Sequence, residues 1–186
     1  MKCSECSKNP VKYTVSTLGN YSLDMEYFES EVIKVTNEVL RITLDDNIRK
    51  ICEGDLNITG ETLHFFAQNR GIEEIEAGAF ANQMIKFKLE LNDNSLSRIY
   101  KGTFKSMPLN ELNLSFNKIT TIEPGALENL PNLYLLHLNN NKIKKFYPNS
   151  LVNTPDMLIF DMAYNCMEVL EKNHFSFMTK KEESRD

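Results

Sequence analysis

No stretch of 18 consecutive apolar residues occurs in this 186-residue chain, so no segment has the length of a membrane-spanning helix. Basic residues are also in the minority: 21 Lys and Arg against 26 Asp and Glu leave a formal charge of −5. Phosphate backbones are bound by basic stripes, so nucleic acid is not an expected partner. No G-x-S-x-G, P-loop, H-E-x-x-H or dinucleotide fingerprint is present. The one C-x-x-C, Cys3-Ser-Glu-Cys6, has no second such pair and no H-x-x-x-H to complete a zinc site. It also stands at the chain start, not at the strand-to-helix position that a redox motif of that form needs. Histidine is scarce, at His64, His137 and His174, and the acidic pairs Asp45-Asp46 and Glu73-Glu74 read as solvated surface. Catalytic residues, a metal site and cofactors are therefore not expected. MKCSECSKNPVKY has a lysine but no apolar core of 7–15 residues, so it does not read as a signal peptide.

What the chain has is a repeat. Asn117 laid over Asn141 brings Leu114, Leu112 and Leu109 onto Leu138, Leu136 and Leu133; downstream, Ile119, Ile122 and Leu127 fall on Ile143, Phe146 and Leu151. Asn94 heads another copy with Leu91, Leu89, Leu96, Ile99 and Phe104, and Asn165 another with Met157, Phe160, Met162, Met167, Leu170 and Phe175. The apolar residue two places after the asparagine recurs at Ile72, Leu96, Ile119, Ile143 and Met167, in steps of 24, 23, 24 and 24. The pattern is L-x-x-L-x-L-x-x-N-x-L.

Upstream the register loosens. Arg70 stands where the asparagine belongs if Ile72 and Ile75 set the frame, with Asn69 one residue away. In that frame Phe65 and Ala67 face inward and His64 and Phe66 outward, and a one-residue slip would exchange the faces; both registers are open at this point. Val39, Ile42, Leu44 and Asn47 fit a first copy whose second half, Ile48, Ile51 and Leu56, arrives one residue early.

Each pattern position has a physical task. A short parallel strand turns alternate leucines inward, and the asparagine amide can satisfy backbone groups left unpaired at the bend. One repeat cannot bury its own apolar face, so neighbours stack on a shared core. A second apolar column, Phe80, Phe104, Leu127, Leu151 and Phe175, lies under the convex side.

The convex segments read I-x-x-I-x-x-G-A-F at Ile72–Phe80 and L-x-x-I-x-x-G-T-F at Leu96–Phe104. Together with the 24-residue period, they resemble leucine-rich repeats of the extracellular type, as in Toll-like receptor ectodomains, small leucine-rich proteoglycans and insect cell-surface adhesion proteins. The resemblance implies an α/β solenoid of about six repeats, with a parallel β-sheet on the concave face and short 3-10 or irregular convex segments. Residues 38–178 are assigned to the repeats, residues 1–37 to an N-terminal cap and residues 179–186 to a charged tail. Val11, Tyr13 and Val15 alternate, as do Leu23, Met25 and Tyr27, with Gly19-Asn20 between them. This predicts an antiparallel hairpin covering the first strand. No comparable cap follows the last repeat, so the chain reads either as part of a longer protein or as one whose last repeat is capped in some less recognisable way.

Extracellular relatives commonly close such caps with disulfides. By that resemblance Cys3, Cys6 and Cys52 are the disulfide candidates, with Cys52 joined to Cys3 or Cys6 and Cys166 free. Three N-x-S/T sequons make Asn20, Asn57 and Asn113 candidate glycosylation sites. The expected location is extracellular or the cell surface, and the alternative is a cytoplasmic scaffold with reduced thiols and bare asparagines. A matrix structural protein is a further alternative.

Binding in such a stack belongs to the outward-facing strand residues. Most are polar here. Phe116, Leu135, Ile159 and Tyr164 are the apolar exceptions, and with His137 and Asp161 they form the candidate partner-binding face. The expected partner is another protein or a glycoconjugate. A glycan on Asn113, on the same face, would compete with a partner docked there.

Overall fold

The computed structural model describes residues 11–16, 26–30, 33–35, 39–45 and 48–168, with side chains from Arg41 onward other than Pro148. Cys3, Cys6, Asn20, Leu23, Met25, Asn47, Leu170, His174, Phe175 and the tail lie outside the described residues.

Alternation of apolar and polar residues at each repeat start makes one strand per repeat, and the strands stack into a single sheet. With strands numbered in chain order, this concave sheet contains β1 (Val11–Ser16), β2 (Glu26–Ser30), β4 (Val39–Leu44) and β7 (Thr62–Phe66). It continues through β9 (Ile85–Glu90), β12 (Glu111–Asn113), β15 (Leu135–His137) and β17 (Ile159–Asp161). The order is β17-β15-β12-β9-β7-β4-β1-β2. From β4 to β17 all neighbours are parallel, whereas β1 is antiparallel to both β2 and β4. The expected hairpin therefore lies beside the first repeat strand and extends the sheet past it.

The convex side carries short parallel ladders. β3 (Ile33–Val35) pairs with β6 (Leu56–Ile58), β5 (Lys50–Ile51) with β8 (Glu74–Ile75), and β10 (Arg98–Ile99) with β13 (Thr121–Ile122). A third column joins β11 (Phe104–Lys105), β14 (Leu127–Glu128) and β16 (Leu151–Val152). Among the described residues the only helical piece is a 3-10 turn at Pro148–Ser150. It marks a local sequence change. Gly102 and Gly125 take φ of 72° and 73° at the equivalent bends, a conformation glycine adopts without strain. The next repeat has Asn149 there, and the chain turns through 3-10 geometry instead.

Between the two sides runs one continuous core. Leu89, Leu91, Leu112, Leu114, Leu136 and Leu138 are fully buried, as are Ile72, Leu96, Ile119 and Ile143. Phe104 stacks on Phe80 with ring centroids 5.6 Å apart, and Phe65 meets Phe80 edge-on at the same distance.

The structure resolves the register of the second repeat. Phe65 and Ala67 are fully buried and His64 aligns with Arg41 and Lys88, so Ile72 sets the frame. The early second half of the first repeat is also present: Ile42 aligns with Phe65, 23 residues on, but Ile51 with Ile75, 24 on. A further irregularity was not expected. Thr62 aligns with Ile85 but His64 with Lys88, a bulge that inserts one residue into β9 and leaves Phe87 on the surface at 51% exposure.

Candidate partner-binding face

The asparagine ladder sets the shape of the concave face. Asn117 Oδ1 accepts the Leu96 N–H of the preceding repeat at 3.0 Å, while its Nδ2 donates to Leu91 O at 3.0 Å and Leu114 O at 3.1 Å. Asn94, Asn141 and Asn165 repeat these contacts with their own neighbours. Each amide thus joins two repeats and ends a strand at a fixed point. The residue just before each asparagine, and Asn69 at the equivalent place before Arg70, then takes a left-handed conformation: Asn69, Asp93, Phe116, Asn140 and Tyr164 have φ between 52° and 55°.

That position suits Asn and Asp, whose short polar side chains tolerate φ > 0, and is unfavourable for a bulky ring. Phe116 and Tyr164 occupy it nonetheless, exposed at 53% and 82%. They are in one column on either side of Asn140, two strand spacings apart, or about 10 Å. Leu135 aligns with Ile159, and His137 with Asp161, on the neighbouring strands β15 and β17. Ile159 is 53% exposed and Leu135 half-buried. The six candidate residues are therefore neighbours on the β12-β15-β17 part of the sheet. Asp161 Oδ1 accepts the Ala163 N–H at 3.0 Å, and His137 Nε2 is 3.7 Å from Glu111 Oε1.

The sequence pattern missed part of this apolar surface. Tyr134 and Leu158 lie on the flank where the strands begin, exposed, and with Asn110, Asn132, Pro155 and Asp156 they line a groove of about 400 Å³. Their pattern positions carry no constraint, so periodicity gave no signal. Phe87 was missed because the bulge displaces it from the repeat frame.

Ser115 stands at an outward-facing position of the repeat pattern, yet it is 6% exposed. The reason is local: its hydroxyl and its N–H both donate to Asn113 Oδ1, at 2.7 and 3.1 Å. Asn113 Nδ2 in turn donates to Glu90 Oε2 at 2.8 Å. Both ends of the Asn113 amide are thus engaged. Asn57, by contrast, is exposed in β6, as is Thr59 of its sequon.

Toward the N-terminal end of the sheet the face changes character. Phe66, His64 and Phe87 form a column of near-parallel rings, with centroid separations of 5.8 and 6.0 Å and interplanar angles of 19° and 16°. The Arg41 guanidinium lies over the Phe66 ring, 4.6 Å from its centre. Burial, then the charges of Arg41 and Lys88, hold the His64 imidazole below its usual pKa, against the opposing pull of Glu111 and Glu90. In the middle of the sheet, Lys88 Nζ bridges Glu90 and Glu111 at 2.7 and 2.8 Å. Although Lys88 is partly desolvated, these two carboxylates keep its ammonium above its usual pKa.

Cys52 is buried and disulfide-bonded, and Cys166 is free and exposed. No helix among the described residues is long and apolar enough to cross a membrane.

Residues 88–143 and 107–157 match the leucine rich repeat family. The chain is 40% identical over 65 residues to leucine-rich repeats and immunoglobulin-like domains protein 2 of mouse and of human, across 35% of this chain and 6% of those proteins. It is 30% identical to human Toll-like receptor 8 over 136 residues, 71% of this chain and 13% of that receptor. The chain therefore spans a small part of the length of these relatives. On its repeat geometry and these matches, the chain is a leucine-rich repeat protein with repeats of the extracellular type, a protein-interaction module.

Proposed function

We propose that this chain is an extracellular recognition module that binds another protein through the β12-β15-β17 part of its concave sheet and carries out no catalysis. The observation that carries this reading is the placement of Phe116 and Tyr164. Both rings are presented to solvent from a backbone conformation that disfavours them. Strain of that kind persists where the surrounding structure holds it, and exposed aromatic anchors in a polar surround are what interfaces use. Leu135 and Ile159 extend the apolar surface, while His137 and Asp161 supply a polar rim.

The compartment follows from the same reading. Cys52 pairs with Cys3 or Cys6, tying the N-terminal cap to the first repeat, and such bonds persist in oxidising surroundings. Among the sequons within the described residues, the exposed Asn57 carries the glycan. Asn113, its amide engaged on both sides, stays bare and leaves the face open. Asn20 remains a further candidate acceptor.

The test uses Phe116→Asp and Tyr164→Asn. Asp93 and Asn140 hold the equivalent position at φ 55°, so neither substitution strains the backbone. Crosslinking of the protein to its partner on the native cell surface should be abolished, with the melting temperature unchanged. Undiminished crosslinking would remove this face from the interface. A large loss of stability would mean that the rings are packed, contrary to their exposure. Non-reducing peptide mapping that finds free thiols and bare Asn57 would mark an intracellular scaffold instead.

A further inference from the structure

The ring column at the other end of the sheet has a chemistry of its own. The Arg41 guanidinium lies 4.6 Å from the centre of the Phe66 ring, and His64 stacks on both Phe66 and Phe87. An aromatic ring is negative over its face and positive at its edge. Here the stacked rings and the guanidinium engage ring faces within the column. What remains for a ligand is a row of positive ring edges, with a guanidinium at its end. Arg41 is exposed, and among the described residues its guanidinium makes no hydrogen bond or ion pair and lies over the ring of Phe66. Lys88, the next cation, is already matched by Glu90 and Glu111. Arg41 is thus the cation on this face whose hydrogen-bonding fork is left for a partner, and a planar fork fits a carboxylate bidentately.

We propose that Arg41, Phe66, His64 and Phe87 form a second docking site, for an acidic segment of a protein partner, with one carboxylate seated on the Arg41 guanidinium and the apolar part of the segment against Phe87. The site is separate from the Phe116–Tyr164 patch and stands or falls without it.

His64 adds a pH dependence. Its charged neighbours are Arg41 on β4, Lys88 and Glu90 on β9, and Glu111 on β12. The two cations outweigh the carboxylates and, with burial, keep the imidazole neutral at neutral pH. A docked carboxylate favours the imidazolium, so binding takes up a proton and tightens as pH falls through the His64 titration.

The experiment is selection of random nine-residue peptides on the whole chain at pH 7, followed by titration of one enriched peptide. Selected peptides should be rich in Asp and Glu. Arg41→Ala should weaken the enriched peptide about tenfold, as for loss of a charge-assisted pair. Phe87→Ser should weaken it as well, and Phe116→Asp should leave it unchanged. The wild type should bind more tightly at pH 5.5 than at pH 7, an increase that His64→Phe removes. No enrichment, enrichment of basic or purely apolar peptides, or indifference to Arg41→Ala would overturn the proposal. Weakening by Phe116→Asp in place of Arg41→Ala would assign the acidic segment to the other patch.

Discussion

Asn117 shows how much of the solenoid hangs on single amides. Its side chain is buried and satisfies a Leu96 N–H and carbonyls in two repeats. Asn117→Ala leaves those groups inside without partners, and each such loss costs roughly 1–3 kcal/mol. Urea unfolding should therefore show a drop of at least about 2 kcal/mol in Asn117→Ala relative to wild type. A drop below about 0.5 kcal/mol, the range of ordinary surface changes, would mean that water replaces the amide. Thr62 gives the opposite case. It takes the place of the first pattern leucine, is fully buried, and its hydroxyl has no hydrogen-bond partner. Thr62→Val keeps the shape and removes the unsatisfied group, so stability should rise by about 1 kcal/mol. An unchanged or lower unfolding midpoint would show that the hydroxyl is satisfied after all. The asparagine and leucine roles could be read from the chain because one residue type recurs at a fixed offset and its chemistry admits one use. Ser115 could not. Its burial depends on the Asn113 rotamer, which no pattern encodes.

At the level of the repeat, period predicted the strands, and local exceptions to the period escaped it. The β9 bulge is the clearest exception: one extra residue before Lys88 moves Phe87 outward while Ile85 keeps the inner position. A frame counted back from Asn94 puts Lys86 at the core, so the aromatic column could not have been found by counting. The convex column was legible, since Phe80, Phe104, Leu127 and Leu151 repeat at the same offset and are all buried. Phe104 stacks on Phe80 and lies in the β11-β14-β16 ladder, so it ties one repeat to both neighbours. Phe104→Ala opens a cavity that the rigid ladders cannot close and should cost about 3–5 kcal/mol in chemical denaturation. A cost near 1 kcal/mol would mean that the convex side collapses around the gap.

Over the whole molecule, stability is passed along the stack from neighbour to neighbour, because each repeat touches only those beside it. Among the described side chains the core runs unbroken from Ile42 to Met157, and the hairpin joins the repeat sheet by pairing with β4. Cys52 lies in the first repeat, buried and disulfide-bonded, where it can hold that end in place. Loss of such a bond typically costs about 2–4 kcal/mol. In a globular domain that loss would be felt everywhere, but in a one-dimensional stack it should fade with distance from the bond. Reduction of the disulfide should therefore speed amide hydrogen exchange in β4 and β7 and leave β12 and β15 near their oxidised rates. The aromatic column on β7 and β9 would loosen with that end, whereas the Phe116–Tyr164 patch would keep its geometry, so reduction should separate the two faces functionally. Equal acceleration in all four strands would mean that the solenoid opens as a single cooperative unit. No change in β4 would mean that hairpin pairing alone holds the N-terminal end.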